Sequence, residues 1–94
     1  LTPDYILDYV SDVYQVDKKL IVSKNRSSNV VSARNLSVYL IRKHTDLSLS
    51  QIGLFFGGRS HSTILSCIKK SEASSILLKE INIFDNKINS LVVS

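Results

Sequence analysis

The stretch Ser48-Leu49-Ser50-Gln51-Ile52-Gly53-Leu54-Phe55-Phe56-Gly57-Gly58-Arg59-Ser60-His61-Ser62-Thr63-Ile64 decides how this chain folds. Ser48 and Gln51 have the spacing of a capping box and open a short helix, about 49–56. Its apolar side is Leu49, Ile52 and Phe55 or Phe56. Gly57-Gly58 ends it, because glycine takes the left-handed C-cap conformation without a Cβ penalty. Ser60 then caps a second helix, about 61–73, with Ile64, Leu65 and Ile68 as its apolar side. His61, Ser62, Ser66 and Lys69 fall on the opposite face. Two short helices across a tight glycine turn make a helix-turn-helix over about 49–73. A first turn of small polar residues and a histidine suits a helix that approaches base edges in a major groove. Its open amides suit a phosphate oxygen. The same spacing also fits an ordinary αα-hairpin whose first turn is merely solvated.

Outward from this centre the chain reads as helix throughout. Thr2-Pro3-Asp4 is a helix start, with Thr2 as N-cap, and Ile6, Val10 and Val13 put one apolar face on a helix over about 3–14. Asp17 caps a short helix over 18–22, and the polar, basic stretch 23–29 reads as a loop. Ser28 or Asn29 caps a long helix, about 30–45, with Val30, Ala33, Leu36, Leu40 and Ile41 as its stripe. Arg34, Arg42 and Lys43 fall off that stripe and are expected to face solvent or ligand, while His44 suits the helix C-terminal dipole. A last helix, about 75–91, spaces Leu77, Ile81, Phe84, Ile88 and Leu91 as a packing stripe. With one proline, three glycines and no strand-period segment, 94 residues predict a single all-α domain over 1–94, of five to six helices.

Charge divides the chain. Residues 1–17 hold four aspartates and no Lys or Arg, for −4, and residues 18–70 hold ten cations against Asp46 alone, for +9. The remainder carries −1, which gives the net +4. A basic middle fits a polyanion-binding face or a solvated lysine-rich surface. The lone Cys67 excludes an internal disulfide and reads as a buried thiol. No run approaches the roughly 18 apolar residues of a membrane span, and no signal peptide opens the chain, so a cytoplasmic location is expected. The chain opens at Leu1 and not at methionine, which predicts a piece cut from a longer protein.

Gly53 to Ser60 nearly matches a phosphate loop, but Arg59 stands where lysine is required and the capping box places Gly53–Phe56 inside a helix. Catalysis has little to stand on: no acid is placed to orient His61 beside its hydroxyl neighbours. No second ligand stands at metal spacing from it either. The expectation is a binding module and not an enzyme, with no cofactor or metal of its own.

At Gly57-Gly58-Arg59-Ser60-His61-Ser62-Thr63-Ile64 the chain resembles the Gly-Gly-Arg-Asp-His-[Ser/Thr]-Thr-[Val/Ile] motif of the DnaA family of bacterial replication initiators. Asp46 through Phe56, Lys24-Asn25-Arg26-Ser27 before the long helix, and Thr2-Pro3-Asp4 extend the resemblance over about 1–73. It implies the C-terminal DNA-binding domain, without the ATPase module. ATP and self-assembly are then expected only on absent domains. It further implies recognition of double-stranded origin boxes of the TTATCCACA type, by a helix in the major groove and a basic loop in the adjacent minor groove. By matching position, Ser60, His61 and Ser62 would face base edges and Thr63 base or phosphate. Arg26 would enter the minor groove, and Arg34, Lys43, Arg59 and Lys70 would contact phosphates.

This chain departs from the family pattern at several of these places. Ser60 stands where Asp is usual, and a hydroxyl discriminates less than a carboxylate that accepts from cytosine N4. Ser62 replaces a common threonine and lacks the methyl that would pack on a thymine methyl, and Ser66 falls where histidine is frequent. Ala33-Arg34-Asn35 replaces Pro-Arg-Gln. Two alternatives remain at this level: a protein-interaction module using the Leu77–Leu91 stripe, and a transcriptional regulator that borrows the same domain.

Overall fold

The computed structural model describes residues 1–93, with side chains through Leu91, so the last residue of the expected domain, Ser94, lies outside the described residues. Six helices follow one another: α1 Pro3–Tyr14, α2 Lys18–Ile21, α3 Ser28–His44, α4 Leu49–Phe55, α5 His61–Glu72 and α6 Ser75–Val93. Among the described residues there is no strand, and no helix is long and apolar enough to cross a membrane.

Local chemistry starts and stops these helices. Thr2 Oγ1 accepts from Tyr5 N at 3.2 Å, and Asp17 Oδ1 accepts from Lys19 N at 2.8 Å. Both arms of the capping box form: Ser48 N donates to Gln51 Oε1 at 2.8 Å, and Gln51 N to Ser48 Oγ at 3.1 Å. Gly57 and Gly58 take φ of 81° and 82°, a region that costs other residues strain. Gly53 lies inside α4, where no phosphate loop can form, and its carbonyl accepts from Gly58 N at 3.0 Å and Arg59 N at 2.9 Å. A Cβ at Gly53 would lie 2.1 Å from the Arg59 carbonyl oxygen, so glycine is what lets the turn close onto α4.

α3 is the axle, with every other helix packed against it. Six consecutive residues, Ala33 through Val38, are buried, which is the mark of a helix surrounded on all sides. The polar members of that run find partners nearby: Ser37 Oγ donates to Ala33 O at 2.8 Å. Ser71 Oγ on α5 lies 2.9 Å from Asn35 O, tying α5 to α3. On α6, Leu77, Ile81 and Phe84 are buried and Ile88 packs on the core. The stripe read from the sequence therefore closes the domain, up to the exposed Leu91.

Several expectations are corrected. α3 begins at Ser28 with Ser27 in the N-cap position, so neither Ser28 nor Asn29 caps it. Ser27 Oγ is turned to Asn25 Oδ1 at 2.7 Å, and the Asn29 amide donates to Tyr14 O at 3.0 Å, pinning α3 to α1. On α1 the buried face is Ile6, Leu7 and Val10 while Val13 is exposed, because the helix ends at Tyr14 and the chain turns away through the left-handed Gln15. On α5 the inward face is Ile64, Cys67 and Ser71, and Leu65 is 37% exposed. The close contact with α3 rotates the helix about its axis from the stripe expected.

Candidate nucleic-acid interface

The loop between α2 and α3 is held by its own side chains. Ser23 Oγ donates to Leu20 O at 2.7 Å, Asn25 N to Ser23 Oγ at 3.1 Å, and Ser27 N to Asn25 Oδ1 at 2.9 Å. Such local bonds are what Ser and Asn offer in turns. They set Lys24 and Arg26 along one wall of a groove of about 420 Å³. α5 forms the other wall with Thr63, Ser66, Cys67 and Lys70, while Val31, Arg34, Asn35 and Arg59 complete the lining. Five cations line this groove and no carboxylate does.

The start of α5 stands at the groove's end. Ser60 is its N-cap: the hydroxyl accepts from Thr63 N at 3.3 Å and lies 3.0 Å from Thr63 Oγ1. One of those two hydroxyls donates to the other, which leaves one O–H available. His61 and Ser62 follow, both exposed, at the N-terminal first turn of α5.

Two arginines hold the groove together. Arg34, expected to face solvent or ligand, is turned from solvent: it is 5% exposed on the groove lining, with Nε donating to Ile21 O at 2.8 Å and Nη2 to Leu20 O at 3.1 Å. The cause is its place in the middle of the surrounded helix, opposite the open carbonyls at the end of α2. Arg59 Nη2 donates to Ser23 O at 2.7 Å and fastens the loop to the helix turn. Both guanidinium groups thus bond to neutral carbonyls, and among the described ion pairs no carboxylate meets either. Burial, and then the charge of Arg59, push the Arg34 guanidinium below its usual range. Burial pushes the Cys67 thiol up against the pull of Arg59, Lys70 and Arg34, in keeping with an unreactive thiol. One buried polar atom is left open here: Arg59 Nε has no hydrogen-bond partner.

The structure brings Ser60, His61, Ser62 and Thr63 together at the start of α5 and gathers Arg26, Arg34, Arg59 and Lys70 around the adjoining groove. It does not bring Lys43 there. Lys43 Nζ pairs with Asp85 Oδ2, and His44 Nε2 lies 2.7 Å from Asp85 Oδ1. His44 also meets Phe84 edge to face at 5.2 Å, so its role is a tertiary contact with α6 beyond any interaction with the helix dipole. Lys24 and Asn35 were not singled out by sequence reasoning. Lys24 had a signal in standing two residues from Arg26 in the same polar loop. Asn35 had none that separates a buried amide from an exposed one.

Residues 3–70 match the family described as bacterial dnaA protein helix-turn-helix. The chain is similar to the chromosomal replication initiator protein DnaA of Spiroplasma citri, 39% identical over 91 residues, which is 97% of this chain and 20% of that protein. It is 42% identical over 76 residues to the protein of that name from Gloeobacter violaceus, covering 81% of this chain and 17% of the relative. The Lachnoclostridium phytofermentans protein is 38% identical over 92 residues, 98% of this chain and 20% of its own length. The chain thus spans about a fifth of the curated relatives it matches.

Proposed function

The chain belongs to the bacterial DnaA helix-turn-helix family, and from that premise we propose that it binds double-stranded DNA by sequence, as the box-reading module of a replication initiator. The observation that carries this reading is the pairing of an exposed, uncharged first turn on α5 with a groove of five cations and no carboxylate. Charge supplies affinity for any phosphate backbone, and the neutral side chains between the charges supply sequence choice. In this reading α5 enters the major groove by its first turn, where His61 and Ser62 donate to or accept from base edges. Thr63 and Ser60 lie beside them, their hydroxyls bonded to each other with one O–H still free to donate. The hydrogen-bonded loop carries Arg26 to the adjacent minor groove, where a narrow A·T-rich tract concentrates negative potential. Lys24, Arg59 and Lys70 approach phosphates, and Arg34 acts from the floor by its charge.

The test is selection of bound duplexes from a random pool, followed by titration of the best one against salt. Five cations predict log affinity falling against log salt with a slope of roughly −4 to −5. A selected consensus of the TTATCCACA type supports the origin role. Binding that ignores salt, or a pool that yields no consensus, overturns the reading. Repeating the selection with Ser60→Asp preserves the helix cap and adds an acceptor for cytosine N4. The expected outcome is a sharper preference at one base pair.

A further inference from the structure

On α5, one helical face consists of His61, Ser62, Leu65 and Lys69, all exposed, with Ser66 half-buried at its edge. The spacing of three and four residues puts them side by side. Leu65 is the apolar member of that face, and at 37% exposed it is not part of the core. A single exposed leucine needs no explanation on an ordinary surface. This one stands in the middle of the face that begins with His61 and Ser62.

We propose that Leu65 is a specificity-determining residue, which packs against the 5-methyl group of a thymine in the bound duplex. The inference rests on the DNA-binding reading above and names a contact within it. Thymine is the one base that offers an apolar group in the major groove. A long helical side chain leans toward the helix N-terminus, so Leu65 covers the turn of His61 and Ser62, where the base edges would lie. Ser62 has no methyl to offer a thymine, and Leu65, three residues on, supplies apolar surface over the same patch. The Thr63 methyl is the other candidate on this turn. It belongs to a residue whose hydroxyl is bonded to Ser60 and which lines the groove.

The experiment uses the best duplex from the selection, with each thymine replaced in turn by uracil, which removes only the methyl group. The wild-type chain is expected to lose about fourfold in affinity at one of these positions, the value of one buried methyl-sized group. Leu65→Ala is expected to bind the thymine and uracil duplexes equally at that position, with its melting temperature close to wild type. Leu65→Val, which keeps part of the apolar surface, should fall between. Equal binding of all uracil duplexes by the wild type overturns the proposal, as does full retention of the thymine preference by Leu65→Ala. A pool that yields no preferred duplex defeats the DNA-binding reading itself, a different and separable result.

Discussion

Two basic regions of this molecule carry similar residues and differ in what faces them. At the end of α3, Lys43 and His44 meet Asp85 from α6, and the charge is neutralised within the fold. Around the groove, Lys24, Arg26, Arg34, Arg59 and Lys70 meet carbonyl oxygens or solvent, and the described ion pairs leave all five out. The difference shows that a cation's role in this chain is set by whether a carboxylate stands opposite. The first cluster joins two helices. The second keeps its field for something outside the protein.

Removing the packing behind the neutralised cluster has the largest expected effect. Phe84 is fully buried, meets Tyr9 edge to face at 4.8 Å and lies beneath His44. Phe84→Ala should cost about 3–5 kcal/mol in a denaturant melt. DNA affinity per folded molecule should change little, since Phe84 does not line the groove. A selective loss of affinity in a fully folded variant would mean that the two regions are coupled.

Breaking the groove side begins at Gly53. A Cβ there would collide with the backbone of Arg59, which cannot move without α5. Gly53→Ala should cost roughly 1–3 kcal/mol, as overpacking does, and should also weaken DNA binding, because Arg59 and the first turn of α5 shift together. Stability lost with affinity intact would show that the turn yields without moving the proposed reading face.

The comparison is sharpest for single lysines. Lys70→Ala and Lys24→Ala should each weaken binding to every duplex and flatten the salt slope by about one unit. Lys43→Ala should leave the slope where it is, because its charge is already answered by Asp85. Salt titrations of the three variants decide the matter, and a slope change for Lys43→Ala equal to that for Lys70→Ala would erase the distinction.

The smallest effect is expected at Asp85 itself. Burial pushes its carboxyl up, but hydrogen bonds from Lys43 and His44 outweigh that and hold it below its usual range. Unfolded, the same group titrates in the ordinary carboxylate range. Its contribution is therefore complete at neutral pH and is lost as pH falls below about 4. Asp85→Asn should cost at most about 1 kcal/mol at neutral pH, in line with a solvent-accessible ion pair. It should also make the acid limb of the stability curve shallower. On the partner side, the same bond raises Lys43 above its usual value, so that part of the stabilisation persists until the pH passes the lysine range.

The features legible in the sequence are those decided within one helical turn. Thr2, Asp17, the Ser48–Gln51 box and Ser60 cap the helices they were expected to cap, and Gly57-Gly58 closes the turn. Each cap depends on a side chain reaching a backbone amide two or three residues away, and the glycine turn on a missing Cβ, both of which the order of residues alone dictates. The cluster Ser60 to Thr63 at the start of α5 follows from the same rule. Only the tertiary structure decided the rest. Arg34 is buried because the end of α2, thirteen residues back, presents its carbonyls. Lys43 is neutralised by Asp85, 42 residues on. Leu65 is turned outward because α5 packs on α3, and a stripe read at ideal spacing cannot say which neighbour a helix meets. Capping is a contest between a side chain and water over one amide, settled locally. Charge pairing and burial depend on which distant segment the fold brings opposite.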